Sequence, residues 1–311
     1  MLKKKNLSLE SWIQQYMIDH PPRAKSMVMT LFGDTIAPHG GKVWLGSLIE
    51  LLAPFGISDR LVRTSVFRLA EEDWLNARRE GRRSEYALNP KATHRFRRAY
   101  QRIYSPSYRP WNGKWSIAFS LPGAITAQQR SNLRKELLWE GFGMIAPSVF
   151  CHPCADPATL DEVLVRVGAK KKMLICDAED SSLVGIKPLG DLIEECWQLD
   201  TIAADYQSFI ECFAPLKKLI SSKRELPPKQ AFAIRVLLIH GFRRVQLHDP
   251  QLPLELLPTN WPGETAYELC RSIYRSVQRD AERHVEAVLL QEMEAVPKAA
   301  TYFYQRFGGL D

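Results

Sequence analysis

The 311-residue chain is 45% hydrophobic and 25% charged, with a net charge of +7. That is the balance of a globular protein with room for two or three domains, and it excludes a disordered or fibrous chain. No apolar run approaches the ~18 residues needed to cross a bilayer. The basic start Lys3-Lys4-Lys5 runs into polar Asn6, Ser8, Glu10 and Ser11 in place of a signal-peptide core, so a cytoplasmic location is expected.

The charge is split along the chain. Residues 1–110 hold 19 Lys and Arg against 10 Asp and Glu, and residues 111–311 hold 23 against 25. The excess at one end points to a polyanionic partner there.

Residues 1–22 read as a basic tail with a short amphipathic piece (Leu9, Trp12, Ile13, Tyr16), closed by Pro21-Pro22. A helix is predicted from Arg23 to about Ile36, followed by the loop Pro38-His39-Gly40-Gly41. Trp44, Leu45, Leu48, Ile49 and Leu52 recur at helical spacing, so Trp44 to Ala53 is predicted as a helix, ended by Pro54 and Gly56. Ser58 is then a candidate N-cap for a second helix. Val62, Val66 and Leu69 form its buried stripe. Arg60, Arg63, Thr64 and Phe67 fall on the opposite face, with Arg68 beside them.

Such a face suits the major groove, where arginine can donate two parallel bonds to guanine. It equally suits an ordinary solvated helix. The next segments favour the first reading. Trp74 to Arg78 and Ser84 to Leu88 are predicted strands around Glu80-Gly81, with Arg82 and Arg83 at the turn. Helix, turn, helix and basic hairpin are the parts of a winged helix-turn-helix over residues 23–90. The candidate DNA contacts are Lys42, Ser58, Arg60, Arg63, Thr64, Arg68, Arg78, Arg82 and Arg83. The hairpin arginines would supply affinity along the phosphates, without sequence choice.

Residues 91–110 form a basic linker. Arg95, Arg97, Arg98 and Arg102 alternate there with Phe96, Tyr100, Ile103 and Tyr104. Two readings stand: a connecting helix with a solvated basic face and docked aromatics, or further phosphate contacts beside the wing. From Trp111 to residue 186 the pattern is strand (Lys114 to Leu121), helix (Ala127 to Glu140), strands at Gly143-Met144 and Ser148 to Phe150, helix (Ala158 to Val167) and strand (Lys172 to Cys176). This is a ferredoxin-like order. Residues 187–311 read as wholly helical. The predicted helices are Asp191–Leu199, Ile202–Lys218, Pro228–Leu247 and Pro262–Gln291. A stiff loop at residues 248–262 carries four prolines and is expected to strap across them. The fold class is thus α+β and multidomain.

Six scattered cysteines make no disulfide framework. Cys151-His152-Pro153-Cys154 has redox or metal-ligand spacing, but no second pair completes a zinc site. Buried or idle thiols are the competing reading, and no metal or cofactor is expected. Asp177, Glu179 and Asp180 form an acidic run, read as a solvated loop. No Ser/His/Asp set or Gly-rich phosphate loop stands out for an enzyme.

Three stretches resemble the PaaX family of transcriptional regulators, the repressors of phenylacetic acid degradation operons. They are Leu31-Phe32-Gly33-Asp34 through Arg82-Arg83-Ser84-Glu85-Tyr86; Trp111-Asn112-Gly113-Lys114-Trp115 with the pattern after it; and His240-Gly241-Phe242-Arg243-Arg244 through Trp261-Pro262-Gly263. The resemblance implies a homodimeric repressor on an inverted-repeat DNA operator, released by an aryl-CoA thioester such as phenylacetyl-CoA. It also implies a middle domain like the small CRISPR adaptation nucleases. Those keep an Asp at the end of their first strand, whereas here the strand ends Phe119-Ser120-Leu121-Pro122. A structural or dimerising role is therefore expected.

A CoA ester needs Arg or Lys for phosphate and apolar walls. Tyr206, His240, Arg243, Arg244 and Trp261 are the candidates in residues 187–311. The alternative is that they brace the helices against the proline-rich loop. A CoA-ester-processing enzyme and an effector-independent architectural protein remain the rival functions.

Overall fold

The computed structural model describes residues 8–105, 110–179, 189–221 and 223–310. Lys3-Lys4-Lys5, the linker residues Ser107, Tyr108 and Arg109, and Asp180 lie outside them. The described residues form two compact units. One takes in residues 1–105, 207–244 and 264–311, and the other residues 106–206 and 245–263.

The first unit opens with α1 (Leu9–Asp19), started by a Ser8/Ser11 capping box. Its Leu9, Trp12 and Ile13 are buried, and Trp12 packs 5.3 Å from Phe213. This part of the expected tail is a docked helix. Next come α2 (Ala24–Leu31), which widens into a π turn over Phe32–Ile36, then β1 (Lys42–Trp44), α3 (Leu45–Leu52), α4 (Asp59–Glu71), β2 (Leu75–Glu80), β3 (Arg83–Leu88) and α5 (Thr93–Tyr104). Its sheet has the order β1-β3-β2 and is antiparallel.

Strand β1 is a correction to the sequence reading, which placed Trp44 at the start of a helix. Val43 is buried and pairs with Tyr86. Ladder pairing outweighs a one-residue helical extension, and the chain turns helical only at Leu45. The unit is completed by the later part of α9 (Leu199–Ser221), most of α10 (Pro228–Gln246) and α11 (Gly263–Leu289), and α12 (Thr301–Tyr304).

The second unit holds β4 (Lys114–Ser120), α6 (Ala127–Trp139), β5 (Gly143–Ala146), β6 (Val149–His152), α7 (Pro157–Val167), β7 (Met173–Glu179) and α8 (Leu189–Trp197). Its strands run antiparallel in the order β5-β6-β4-β7. This is the split arrangement in which the first and third strands lie side by side. Leu133 and Leu137 of α6, Leu160, Val163 and Leu164 of α7, and Ile125, Phe142, Phe150 and Ala169 form one apolar core. Helix α6 begins on a Thr126/Gln129 capping box, and α7 on Asp156, whose carboxylate accepts from Thr159 N at 2.9 Å.

The proline-rich loop belongs to this second unit. A Cβ on Gly141 would sit 2.6 Å from the Pro250 carbonyl, and Gly141 has φ +93. Only glycine allows that approach. The loop thus packs against the turn after α6, and through Asp249 and Trp261 against Tyr206 of helix α9.

Candidate nucleic-acid interface and effector residues

Helices α3 and α4 are joined by a single 3-10 turn, Ala53–Phe55, and by Gly56 at φ +69. Leu48, Leu51 and Leu52 of α3 and Val62, Ser65, Val66 and Leu69 of α4 are buried. That fixes the outward face of α4, where Arg60, Arg63, Thr64, Phe67 and Arg68 are all exposed. Ser58 does occupy the N-cap with extended backbone, but its hydroxyl makes no capping bond. Arg63 is held as a fork on Asp59 one turn back, at 2.6 Å and 3.2 Å. The Thr64 hydroxyl donates to the Arg60 carbonyl at 2.8 Å.

The hairpin closes Glu80 on Arg83 through the two-residue loop Gly81-Arg82, with Gly81 at φ +59. A two-residue loop with a positive φ at its first position matches the twist of the strands it joins. Arg78, Arg82 and Arg83 are exposed around it. The Arg83 guanidinium lies 4.8 Å over the Trp44 ring. Lys42 is exposed, and its ammonium is 3.7 Å from Glu85.

Helix α5 divides its arginines. Arg95 and Arg97 are exposed, whereas Arg102 is buried. Its aromatics are docked: Tyr104 packs 5.3 Å from Phe307, and the Tyr100 hydroxyl donates to the Tyr302 carbonyl at 2.6 Å. Placing Arg102 on a solvated face was wrong. It shares the inward side of the helix with Ile103 and Tyr104.

The five effector candidates fall into two groups, one per unit. In the second unit, Tyr206 is fully buried, with its Oη 2.7 Å from both Gln246 Oε1 and Asp249 Oδ2. The Trp261 ring lies edge-on to it at 5.8 Å. Asp249, itself buried, also accepts from Gln251 N at 2.6 Å.

In the first unit, His240 Nδ1 is 2.9 Å from Thr30 Oγ1. Arg243 donates to the same Oγ1 at 2.8 Å and to the Ser26 carbonyl at 3.1 Å. Arg244 is exposed. Burial, with Arg243 and Arg244 adding to it, lowers His240 to about 4. These bonds tie α10 to α2. The proline-rich loop is tied instead by Tyr206, through Asp249.

Cys151 is buried on β6, where the bond to the neighbouring Cys196 thiol, with burial adding to it, pushes it well up. His152 Nδ1 accepts from Cys154 N at 2.9 Å. The Cys-His-Pro-Cys segment is therefore an internally bonded strand end. Asp177 and Glu179 are on β7, facing Ser116 at 3.5 Å and Lys114 at 3.0 Å across the ladder, and are not in a loop as expected. Among the described residues, no three His, Cys, Asp or Glu side chains gather as metal ligands.

The sequence reading missed the centre of the first unit. Asp34, fully buried, accepts from the Tyr104 hydroxyl at 2.7 Å and the Tyr274 hydroxyl at 3.0 Å. It also pairs with Arg235 at 3.0 Å and Arg306 at 3.1 Å. Arg235 continues to Thr35 at 3.1 Å and to Glu282, whose carboxylate meets His39 Nε2 at 2.7 Å. Burial raises the Glu282 carboxyl, but Arg235 and the His39 bond outweigh it and hold it at about 2. Burial lowers His39, yet Glu282 and the Pro297 carbonyl leave it raised.

A second tie is Glu292, which accepts from Ser47 N at 2.6 Å and from its hydroxyl at 2.7 Å, capping α3. A Cβ on Gly46 would meet that carboxylate at 2.7 Å. The only local signal for these ties was composition: the buried partners of Asp34 lie 70 residues away at Tyr104 and 240 or more at Tyr274 and Arg306.

Three regions of the chain match domains of one family. Residues 23–92 match the PaaX-like protein domain, 108–186 the PaaX protein central Cas2-like domain, and 197–287 the PaaX-like protein C-terminal domain. Over 304 residues the chain is 38% identical to the Transcriptional repressor PaaX of Escherichia coli (strain K12), covering 97% of this chain and 96% of that one. It is also similar to the solved structure of the uncharacterized protein Rv0674 from Mycobacterium tuberculosis. There the TM-score is 0.49 and the identity 22%, over 83% of this chain and 98% of the other.

Proposed function

We propose, on the premise that this chain belongs to the PaaX family, that it is a DNA-binding transcriptional repressor of phenylacetate catabolism and not an enzyme. The observation that carries the reading is the outward face of α4. Three exposed arginines and a threonine stand on a helix whose opposite side is buried, beside a two-stranded hairpin with four more exposed arginines. Residues 23–90 would then act as a winged helix-turn-helix, with α4 in the major groove. Arg60, Arg63, Thr64 and Arg68 face base edges and nearby phosphates, and Lys42, Ser58, Arg78, Arg82 and Arg83 follow the backbone. The Arg63 guanidinium pairs with Asp59, and guanine O6 and N7 would replace the carboxylate on binding.

A homodimer on an inverted repeat follows from pairing two such helices. Half-sites would lie about 34–36 Å apart or a multiple of it. Residues 111–186 are assigned to structure or pairing, and residues 187–311 to sensing an aryl-CoA such as phenylacetyl-CoA. Within the latter, Arg244 of the first unit, exposed beside buried His240 and half-buried Arg243, is the candidate phosphate contact, and Tyr206 with Trp261 in the second unit is a separate candidate aromatic contact. Footprinting on the chain's own upstream DNA, with and without phenylacetyl-CoA, tests the whole reading. Two protected half-sites that vanish on adding the ester are expected. Protection indifferent to the ester removes the effector assignment, and absence of protection removes the repressor.

A further inference from the structure

Helix α4 advances about 100° per residue. Phe67 therefore projects within about 20° of Arg60 and almost opposite buried Val62 and Leu69. Its ring is 60% exposed. Leu61, 51% exposed, lies about 120° round the helix from it, in line with Arg68. A phenylalanine at the point of the helix farthest from the core adds nothing to that core. Its neighbours Arg60, Arg63, Thr64 and Arg68 are the polar groups assigned above to DNA.

An apolar ring can neither pair with a phosphate nor donate to guanine. The apolar feature that base edges offer in the major groove is the C5-methyl of thymine, and aromatic side chains pack on it. We propose that Phe67 reads a thymine methyl in each half-site, beside the base contacted by Arg63. This rests on α4 being the helix that enters the groove. It adds an element of choice that the arginines cannot supply, since a guanidinium selects guanine and leaves the thymine methyl unread.

The test starts by selecting duplexes from a random pool with the full-length protein. Each thymine of the enriched duplex is then replaced in turn by deoxyuridine, which removes only the methyl. At one thymine per half-site the wild type should lose about fourfold in affinity, the worth of burying one methyl. Phe67→Ala should bind the thymine and uracil duplexes alike, and Phe67→Leu, which keeps an aliphatic contact, should discriminate partially. An unchanged unfolding midpoint checks that these exposed-site variants are folded. Indifference of the wild type to every exchange, or undiminished discrimination by Phe67→Ala, overturns the thymine assignment alone. Failure to enrich any duplex overturns the DNA-reading role itself.

Discussion

The α6/α7 sheet cluster of the second unit and the centre of the first unit bury their interiors in opposite ways; the second unit's buried Asp249 lies outside that cluster. The β4–β7 unit closes its sheet with leucines, valines and phenylalanines on α6 and α7, and that cluster holds no charged group. The first unit buries Asp34, Arg235 and Arg306 and links them to Glu282 and His39. An apolar cluster is non-directional, so its members can be exchanged at fixed volume. A buried ion network is directional. It is no stronger than a well-packed apolar core, but it fails badly when one member is lost, because the remaining charges stay buried and unpaired. The unit holding the candidate DNA face is thus locked in one arrangement by groups from α2, α5, α10, α11 and the residues after it.

The contrast is broken most directly by Asp34→Ala, which strands two buried guanidinium groups and should cost ~3–5 kcal/mol in urea unfolding. Leu137→Ala in the apolar unit should cost a comparable ~2–5 kcal/mol. Its penalty should be flat with pH, which checks that the cluster around Leu137 carries no charge.

The pH dependence of the first unit should run in two directions. His240 is held low, at about 4. Stability is then full above about 6.5 and falls as pH drops from there toward 4, by up to ~3 kcal/mol. His39 is held high. Its contribution is full below about 6.5 and is lost as pH rises through its folded value. Unfolding midpoints should therefore peak near the ordinary imidazole range, and His240→Gln should flatten only the acid limb. An acid limb unchanged in that variant would show that other groups cause it.

Exposed arginines should behave unlike buried ones. Arg63→Ala should leave the unfolding midpoint unchanged and lose ~1–3 kcal/mol of discrimination at one base pair. Arg83→Ala should weaken all duplexes alike and reduce the salt slope by about 0.9. Both are read by fluorescence anisotropy across a salt series. The smallest effect is expected for Glu292→Ala, about 1 kcal/mol of stability from the lost cap on α3.

Much of the second unit was legible residue by residue. Its first strand alternates, its helices carry leucines and valines at helical spacing, and the ferredoxin-like order follows from the succession of segments. The face of α4 was legible for the same reason, since Val62, Val66 and Leu69 fix what points outward. Strand β1 was not, because three residues have no period of their own. They become a strand only when Tyr86 and its neighbours lie alongside. Nor was the loop at Pro250 placed, because nothing in its own residues says that Gly141 offers the space.

The sequence by itself determined the periodic segments, the split of charge, and the basic outward face of the helix after Gly56. All of these arise from neighbours within a few positions of one another. The tertiary structure alone decided that Asp34 serves two arginines, that Glu292 caps α3, and that Arg102 points inward. A charged residue's letter is the same whether water or a distant partner solvates it, and only folding brings such partners within bonding distance.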